Sequence, residues 1–292
     1  MDKILICTGL ALFGLMLGSF AGATVWRLRA RQLVADKKEG EPVDKKEYKQ
    51  LLPLAKASVA DDRSRCLHCG HLLAWYDLLP LISWASTRGK CRYCQQPIGW
   101  LEPLIELGVA AFFVVSFLVW PSMLHTQLEI TQFILWLAAG VVLAILFAYD
   151  LKWFLLPNPA VFTLLGIGVL VALLHVIASA DKLAALVSLA AAAAILSGLY
   201  LALWLVSKGQ WIGLGDVKLG LALALLLGRW ELAFIALFSA NLIGCIIVLP
   251  AMLRGKVTRK THVPFGPLLI AGAVLAMLAG PAIVDWYFAI YL

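Results

Sequence analysis

The stretch ITQFILWLAAGVVLAILFAYDLK, residues 130–152, decides the class of fold. From Ile130 to Tyr149 it holds no charged residue, and such a run has the length an α-helix needs to cross a hydrocarbon core of about 30 Å. The run stops at a carboxylate, Asp150, with Lys152 two positions on. Working outward, further apolar segments lie at roughly 4–25, 103–120, 157–178, 183–206, 214–228, 231–252 and 265–290. With 130–149 they predict an all-α polytopic membrane protein of about eight transmembrane helices. Composition agrees: 62% of the 292 residues are hydrophobic and 14% charged, where a soluble domain carries about 25% charged.

Orientation follows from the basic residues. With the N-terminus outside, only Lys3, Lys182 and Arg229 of the 24 Lys and Arg fall on the outer side, leaving 21 in the cytosol. The opposite orientation reverses that count, so both termini are expected outside. The net charge of +7 is explained by these cytosolic loops, where bases alternate with acids, and no nucleic-acid partner is expected. The chain divides accordingly into a first helix (1–26), a cytosolic loop (27–102) and a bundle of about seven helices (103–292). The first half of the loop, about 27–62, is rich in Lys, Glu and Asp and reads as solvated and partly helical or mobile. The sixth segment is short: its apolar part, Leu219 to Leu227, covers about 14 Å as a helix and cannot span alone.

Six cysteines fall into two groups. Cys7 and Cys245 lie in apolar segments and are expected to be buried, inert thiols. Cys66-Leu-His-Cys69 and Cys91-Arg-Tyr-Cys94 form two C-x-x-C knuckles, 21 residues apart. Each knuckle presents two thiolates from one tight turn, and two knuckles complete a tetrahedron, the pattern of a zinc ribbon. Four cysteine ligands close the shell, so one structural zinc is expected. A disulfide is disfavoured on the reducing side of the membrane. His68 and His71 read as surface residues near the metal.

Aspartate is expensive at membrane depth and marks a functional site there. Asp150 ends the third apolar segment; Asp216 begins the sixth, in Gly213-Leu214-Gly215-Asp216-Val217-Lys218. The topology puts both at cytosolic helix ends, at similar depth. Two carboxylates that meet, one ionised and one protonated, can carry out aspartyl proteolysis. Gly213 and Gly215 would let the backbone beside Asp216 leave the helix and approach a peptide. The competing reading makes both aspartates interfacial charges paired with Lys152 and Lys218. Snorkelling to head groups is the expected role of these lysines.

These residues, taken in order, resemble the type IV prepilin peptidases, members of the GxGD intramembrane aspartyl proteases. The resemblance runs from Gly18-Ser19-Phe20 and Arg27 through the cysteine loop, with Trp75-Tyr76-Asp77 and Pro80-Leu81-Ile82-Ser83-Trp84, to Pro103-Leu104-Ile105-Glu106-Leu107. Asp150 with Leu156-Pro157-Asn158 resembles the first aspartate motif, and Gly213 to Leu219 the second. Pro264-Phe265-Gly266-Pro267 is similar to the late motif near the active site. The resemblance implies cleavage of the leader from type IV prepilins or pseudopilins at the cytosolic face of a bacterial inner membrane. It also implies N-methylation of the new terminal residue with S-adenosylmethionine, a cofactor for which no glycine-rich fingerprint is present. Asp77, Gly89, Glu102 and Glu106 are candidates to bind it, chosen for position in the family-like stretch. Two other readings remain: a GxGD protease of other signal peptides without the methyl transfer, and a zinc-loop scaffold or transporter that is no enzyme.

Overall fold

Helices account for nearly all regular structure in the computed structural model, which describes residues 3–56, 63–121, 124–255 and 263–291. They fall into two compact units, residues 1–117 and 118–292. Each is built around close helix crossings that small residues permit.

In the first unit, α1 (Lys3–Lys38) does not stop at the membrane surface but continues as one rod into the charged stretch. α2 (Lys45–Lys56) folds back on it, so the start of the loop is ordered helix rather than mobile chain. Ala30, Leu33, Leu51 and Leu54 form a small buried core there, and Arg29 clasps Glu47 at 2.7 Å. Residues 57–62 of the expected loop lie outside the described residues. A short helix, α3 (Ile82–Ser86), sits in the cysteine loop, and α4 (Leu101–Leu118) follows it. A Cβ on Gly14 would come 2.7 Å from the Cα of Ala110, and one on Gly18 would come 2.6 Å from that of Glu106. Backbone therefore lies on backbone between α1 and α4. This packing puts α4 in the first unit, whereas the division expected from the loop boundary placed it with the later bundle.

The second unit holds α5 (Gln127–Trp153), α6 (Asn158–Ala178), α7 (Lys182–Ala193), a π turn at Ala194–Gly198, α8 (Leu199–Ser207), α9 (Leu214–Leu227), α10 (Trp230–Leu253) and α11 (Phe265–Tyr291). Thr126 opens α5 as a capping box with Glu129, and the helix ends at Phe154, which takes a left-handed φ of 56°. Seven helical stretches across the described residues are long and apolar enough to cross a membrane, α7 to α8 counting as one. The eighth expected segment is α9, whose 14 residues reach about 21 Å. Its short length is tolerated because it is enclosed: α6, α7, the π turn, α8, α10 and α11 all pack on it. Val217, Leu219, Gly220, Ala222, Leu223, Ala224, Leu226 and Leu227 are all buried. A helix apolar on every side belongs inside such a bundle.

The outer faces are greasy. Phe234, Phe238, Leu242 and Ile246 of α10 recur every four residues and are all exposed, a stripe suited to acyl chains. Cys245 lies exposed on the same helix, correcting its expected burial, while Cys7 is half-buried. Of the alanines at 190–194, only Ala192 is buried. The packed face continues through Leu196 in the π turn to Tyr200 beyond it.

Candidate active site and metal centre

The cysteine loop builds the same turn twice. In the first, Cys66 N–H donates to His71 O and Gly70 N–H to Cys66 O; in the second, Cys91 N–H donates to Gln96 O and Gln95 N–H to Cys91 O. Gly70 and Gln95 hold the left-handed position that closes each knuckle, with φ of 72° and 58°. The four sulfurs all lie within 4.8 Å of one another, and Cys66 Sγ is 3.8 Å from Cys94 Sγ. A ZnS4 tetrahedron with bonds of about 2.3 Å has an edge of about 3.8 Å, so the donor set fits a metal ion of that kind. Burial raises the Cys66 thiol to about 12. At Cys91 burial is outweighed by the N–H groups of Cys94 and Tyr93, and the thiol falls to about 7. Neither histidine joins the sulfur group: His71 stacks on Tyr93 with ring centroids 3.6 Å apart, and His68 is exposed.

The other four candidates all make contacts within the protein. Asp77 accepts from Arg92 Nε and the Tyr93 hydroxyl, each at 3.0 Å, and from the Ala74 N–H. These bonds hold its carboxyl below the usual carboxylate range against the opposing effect of burial. Gly89, with φ of 70°, lies under the Trp84 ring. Glu102 accepts from Trp26 Nε1 at 2.9 Å. Glu106, 7% exposed, accepts from the Leu81 N–H at 2.8 Å and from the Ser19 hydroxyl. Leu81 carries a φ of 57°, costly for leucine, and the Glu106 carboxylate pins that turn to α4. Asp77 and Gly89 thus shape the knuckles, whereas Glu102 and Glu106 place two carboxylates one turn apart on α4.

The aspartates come from opposite ends of two helices. Asp150, 5% exposed, lies in the last turn of α5; Asp216 lies in the first turn of α9. They are near enough to repel one another. α11 supplies the third side: the Gly266 N–H donates to Asp150 Oδ2 at 3.1 Å. A Cβ at Gly266 would sit 2.7 Å from that same oxygen, so only glycine brings α11 this close. Pro267 beside it is buried, while Pro264 and Phe265 are half-buried. Leu156 lines the same place, since a Cβ on Gly215 would meet its Cβ at 3.1 Å and one on Gly266 its Cδ2 at 3.5 Å.

Several expectations about this site are refined. Gly213 caps α9 at φ −79°, ψ 150°, and Gly215 is already inside the helix. Neither uses a conformation special to glycine; at Gly215 the missing side chain makes room for Leu156. Lys218 does not turn to Asp216: its Nζ donates to Asn158 Oδ1 at 2.9 Å and lies over the Phe162 ring, tying α9 to α6. Lys152 is exposed and lies over the Trp153 ring. Tyr200 was missed. Its ring packs edge-on against Phe265 at 5.3 Å and it feels the charge of Asp216. The available signal was a lone phenol within the apolar segment 183–206.

Two carboxylates near enough to repel one another at the ends of membrane helices suit an intramembrane aspartyl protease. Comparison with known proteins agrees with that class. Residues 12–120 match the bacterial peptidase A24 N-terminal domain, and residues 137–249 match the type IV leader peptidase family. The prepilin leader peptidase/N-methyltransferase of Aeromonas hydrophila is 32% identical over 94% of this chain and 91% of its own length. That of Burkholderia pseudomallei (strain 1026b) is 33% identical over 91% and 83%, and that of Bacillus subtilis (strain 168) 28% over 79% and 87%. No solved structure matches the chain. The chain belongs to the type IV leader peptidase family.

Proposed function

We propose that the protein cleaves the leader peptide from type IV prepilins or pseudopilins, with Asp150 and Asp216 as the catalytic pair. The observation that supports this reading is that the two carboxylates lie at helix ends near enough to repel one another, with the Gly266 N–H on Asp150. One carboxylate takes a proton from water as the water oxygen adds to the scissile carbonyl carbon. Its protonated partner gives a proton to the carbonyl oxygen. As the C–N bond breaks, the proton taken from water passes to the leaving amine, and the partner recovers one from the tetrahedral intermediate. The pair ends, as it began, sharing a single proton. Lipid-facing helices would hold the substrate's apolar segment beside this site, with the basic leader on the cytosolic side.

The four cysteines are proposed to hold one structural zinc that ties the two knuckles together. N-methylation of the new terminal amine is proposed from the names of the relatives. S-adenosylmethionine would supply the transferable methyl group, and the stretch that carries Asp77, Gly89, Glu102 and Glu106 is proposed to hold it. The orientation proposed is that of the basic-residue count, with both termini outside and residues 27–102 in the cytosol.

The test is purified protein in detergent with a prepilin, followed by mass spectrometry with and without S-adenosylmethionine. A single cut before the mature pilin and a further methyl gain on the mature pilin are expected. Intact prepilin after prolonged incubation with folded protein would overturn the peptidase reading. A cut product that never gains a methyl would leave a peptidase alone.

A further inference from the structure

Tyr200 is a deeply enclosed polar side chain that feels the charge of Asp216. It is 3% exposed, and its hydroxyl is buried with no hydrogen-bond partner among the described residues. A buried phenol almost always finds a partner, because leaving the hydroxyl bare gives up a hydrogen bond it had in water. Its position is built with care by the elements around it. The π turn at Ala194–Gly198 inserts an extra residue into the helix and ends two residues before Tyr200, and such bulges gather at functional sites. That turn is locked to α9: the Ser197 hydroxyl donates to Val217 O at 2.9 Å, and Gly220 has no room for a side chain beside the Leu196 carbonyl. Val217 directly follows Asp216, so the register of the phenol to the carboxylate is set by neighbouring contacts. On its other side the Tyr200 ring leans on Phe265, whose next residue donates to Asp150.

We propose that Tyr200 is a third catalytic residue of this site, its hydroxyl donating a hydrogen bond to the carbonyl oxygen of the peptide bond held between Asp150 and Asp216. The inference rests on the peptidase reading. A donor aimed at that oxygen is worth most when charge gathers there in the transition state, and least in the empty protein, where it has no partner. The phenol keeps its proton throughout; the aspartates carry all proton transfer. The proposal accounts for a bare hydroxyl in a packed interior: the missing partner belongs to the substrate.

The test is Tyr200→Phe, which keeps the ring and its contact with Phe265 and removes only the hydroxyl. Steady-state cleavage of a prepilin is expected to show kcat down by about 10- to 100-fold with KM changed by less than about threefold, as for loss of one preorganised donor. Thermal stability in detergent is expected to stay the same or rise, since no hydrogen bond of the free protein is lost. The Phe variant cleaving within twofold of wild type would overturn the proposal, as would a loss of activity matched by a loss of stability. Asp216→Asn is run alongside: an active Asp216→Asn would mean that the peptidase reading had failed, whereas an inactive one beside a fully active Tyr200→Phe would sink the tyrosine alone.

Discussion

Asp150 and Asp216 differ in how they are held. Asp150 is fixed by a backbone N–H from another helix, 116 residues later in the chain, whereas Asp216 is fixed by its place in the first turn of its own helix. The proposed mechanism gives each carboxylate a separate task, so Asp150→Asn and Asp216→Asn are each expected to lower prepilin cleavage by about 10²–10⁴. The double variant should be hardly slower than either single, because the pair acts as one unit. Asparagine keeps size and polarity, so each variant should purify and melt like wild type. Methylation of an already cut pilin should survive both changes. Cleavage time courses on the folded variants decide the matter, and a rate within tenfold of wild type for either would return the aspartates to the rank of interfacial charges. The lysines two residues on from each aspartate illustrate the limit of reading by spacing: Lys218 spends its charge on Asn158 and Phe162 of α6.

At the scale of elements, the N-terminus of α11 is the part that closes the site. Gly266→Ala puts a methyl group where Asp150 Oδ2 now lies, at 2.7 Å, so either the carboxylate or the start of α11 must shift. A shift of about 1 Å at reacting groups costs about 10² in rate, and that loss is expected in cleavage with helix content by circular dichroism unchanged. Gly266→Ala with wild-type kcat would show that α11 does not position Asp150. The cysteine loop makes a second element with its own test. About one zinc per chain is expected by metal analysis, and Cys66→Ser or Cys91→Ser should lower it and expose the loop to protease. Full zinc content after loss of two of the four cysteines would refute the assignment. The loop's polar ties, Asp77 to Arg92 and Tyr93, and Glu106 to Leu81, join its turns and anchor it to α4.

At the scale of the whole molecule, the distribution of basic residues makes a prediction about the membrane. Cysteine labelling from either side should find residues 27–102, 207–212 and 254–262 in the cytosol, although residues 256–262 lie outside the described ones. A periplasmic reporter active when fused within 40–60 would reverse the orientation and put the cysteine loop in an oxidising compartment. α9 is the feature on which the bundle depends. Alone it is too short to span; surrounded by six neighbouring elements it needs no lipid contact, and its first turn can hold Asp216 among protein groups.

What the sequence determined by itself rests on signals that are local. Uninterrupted apolar length gave the helices, C-x-x-C spacing gave the sulfur cluster, and carboxylates at the ends of apolar runs gave the aspartate pair. Each depends on residues a few positions apart, so each survives being read along a line. The tertiary structure decided what depends on residues far apart in the chain. Only packing shows that α4 lies against α1 at Gly14 and Gly18, that Gly266 serves Asp150, and that Lys218 reaches α6. The continuous rod of α1 through a charged stretch was hidden for the same reason, since its support is the buried face of α2. Tyr200 was hidden most completely: a single phenol in an apolar helix has no pattern along the chain, and what singles it out is a buried hydroxyl within reach of the charge of Asp216, on a helix whose π turn is locked to α9.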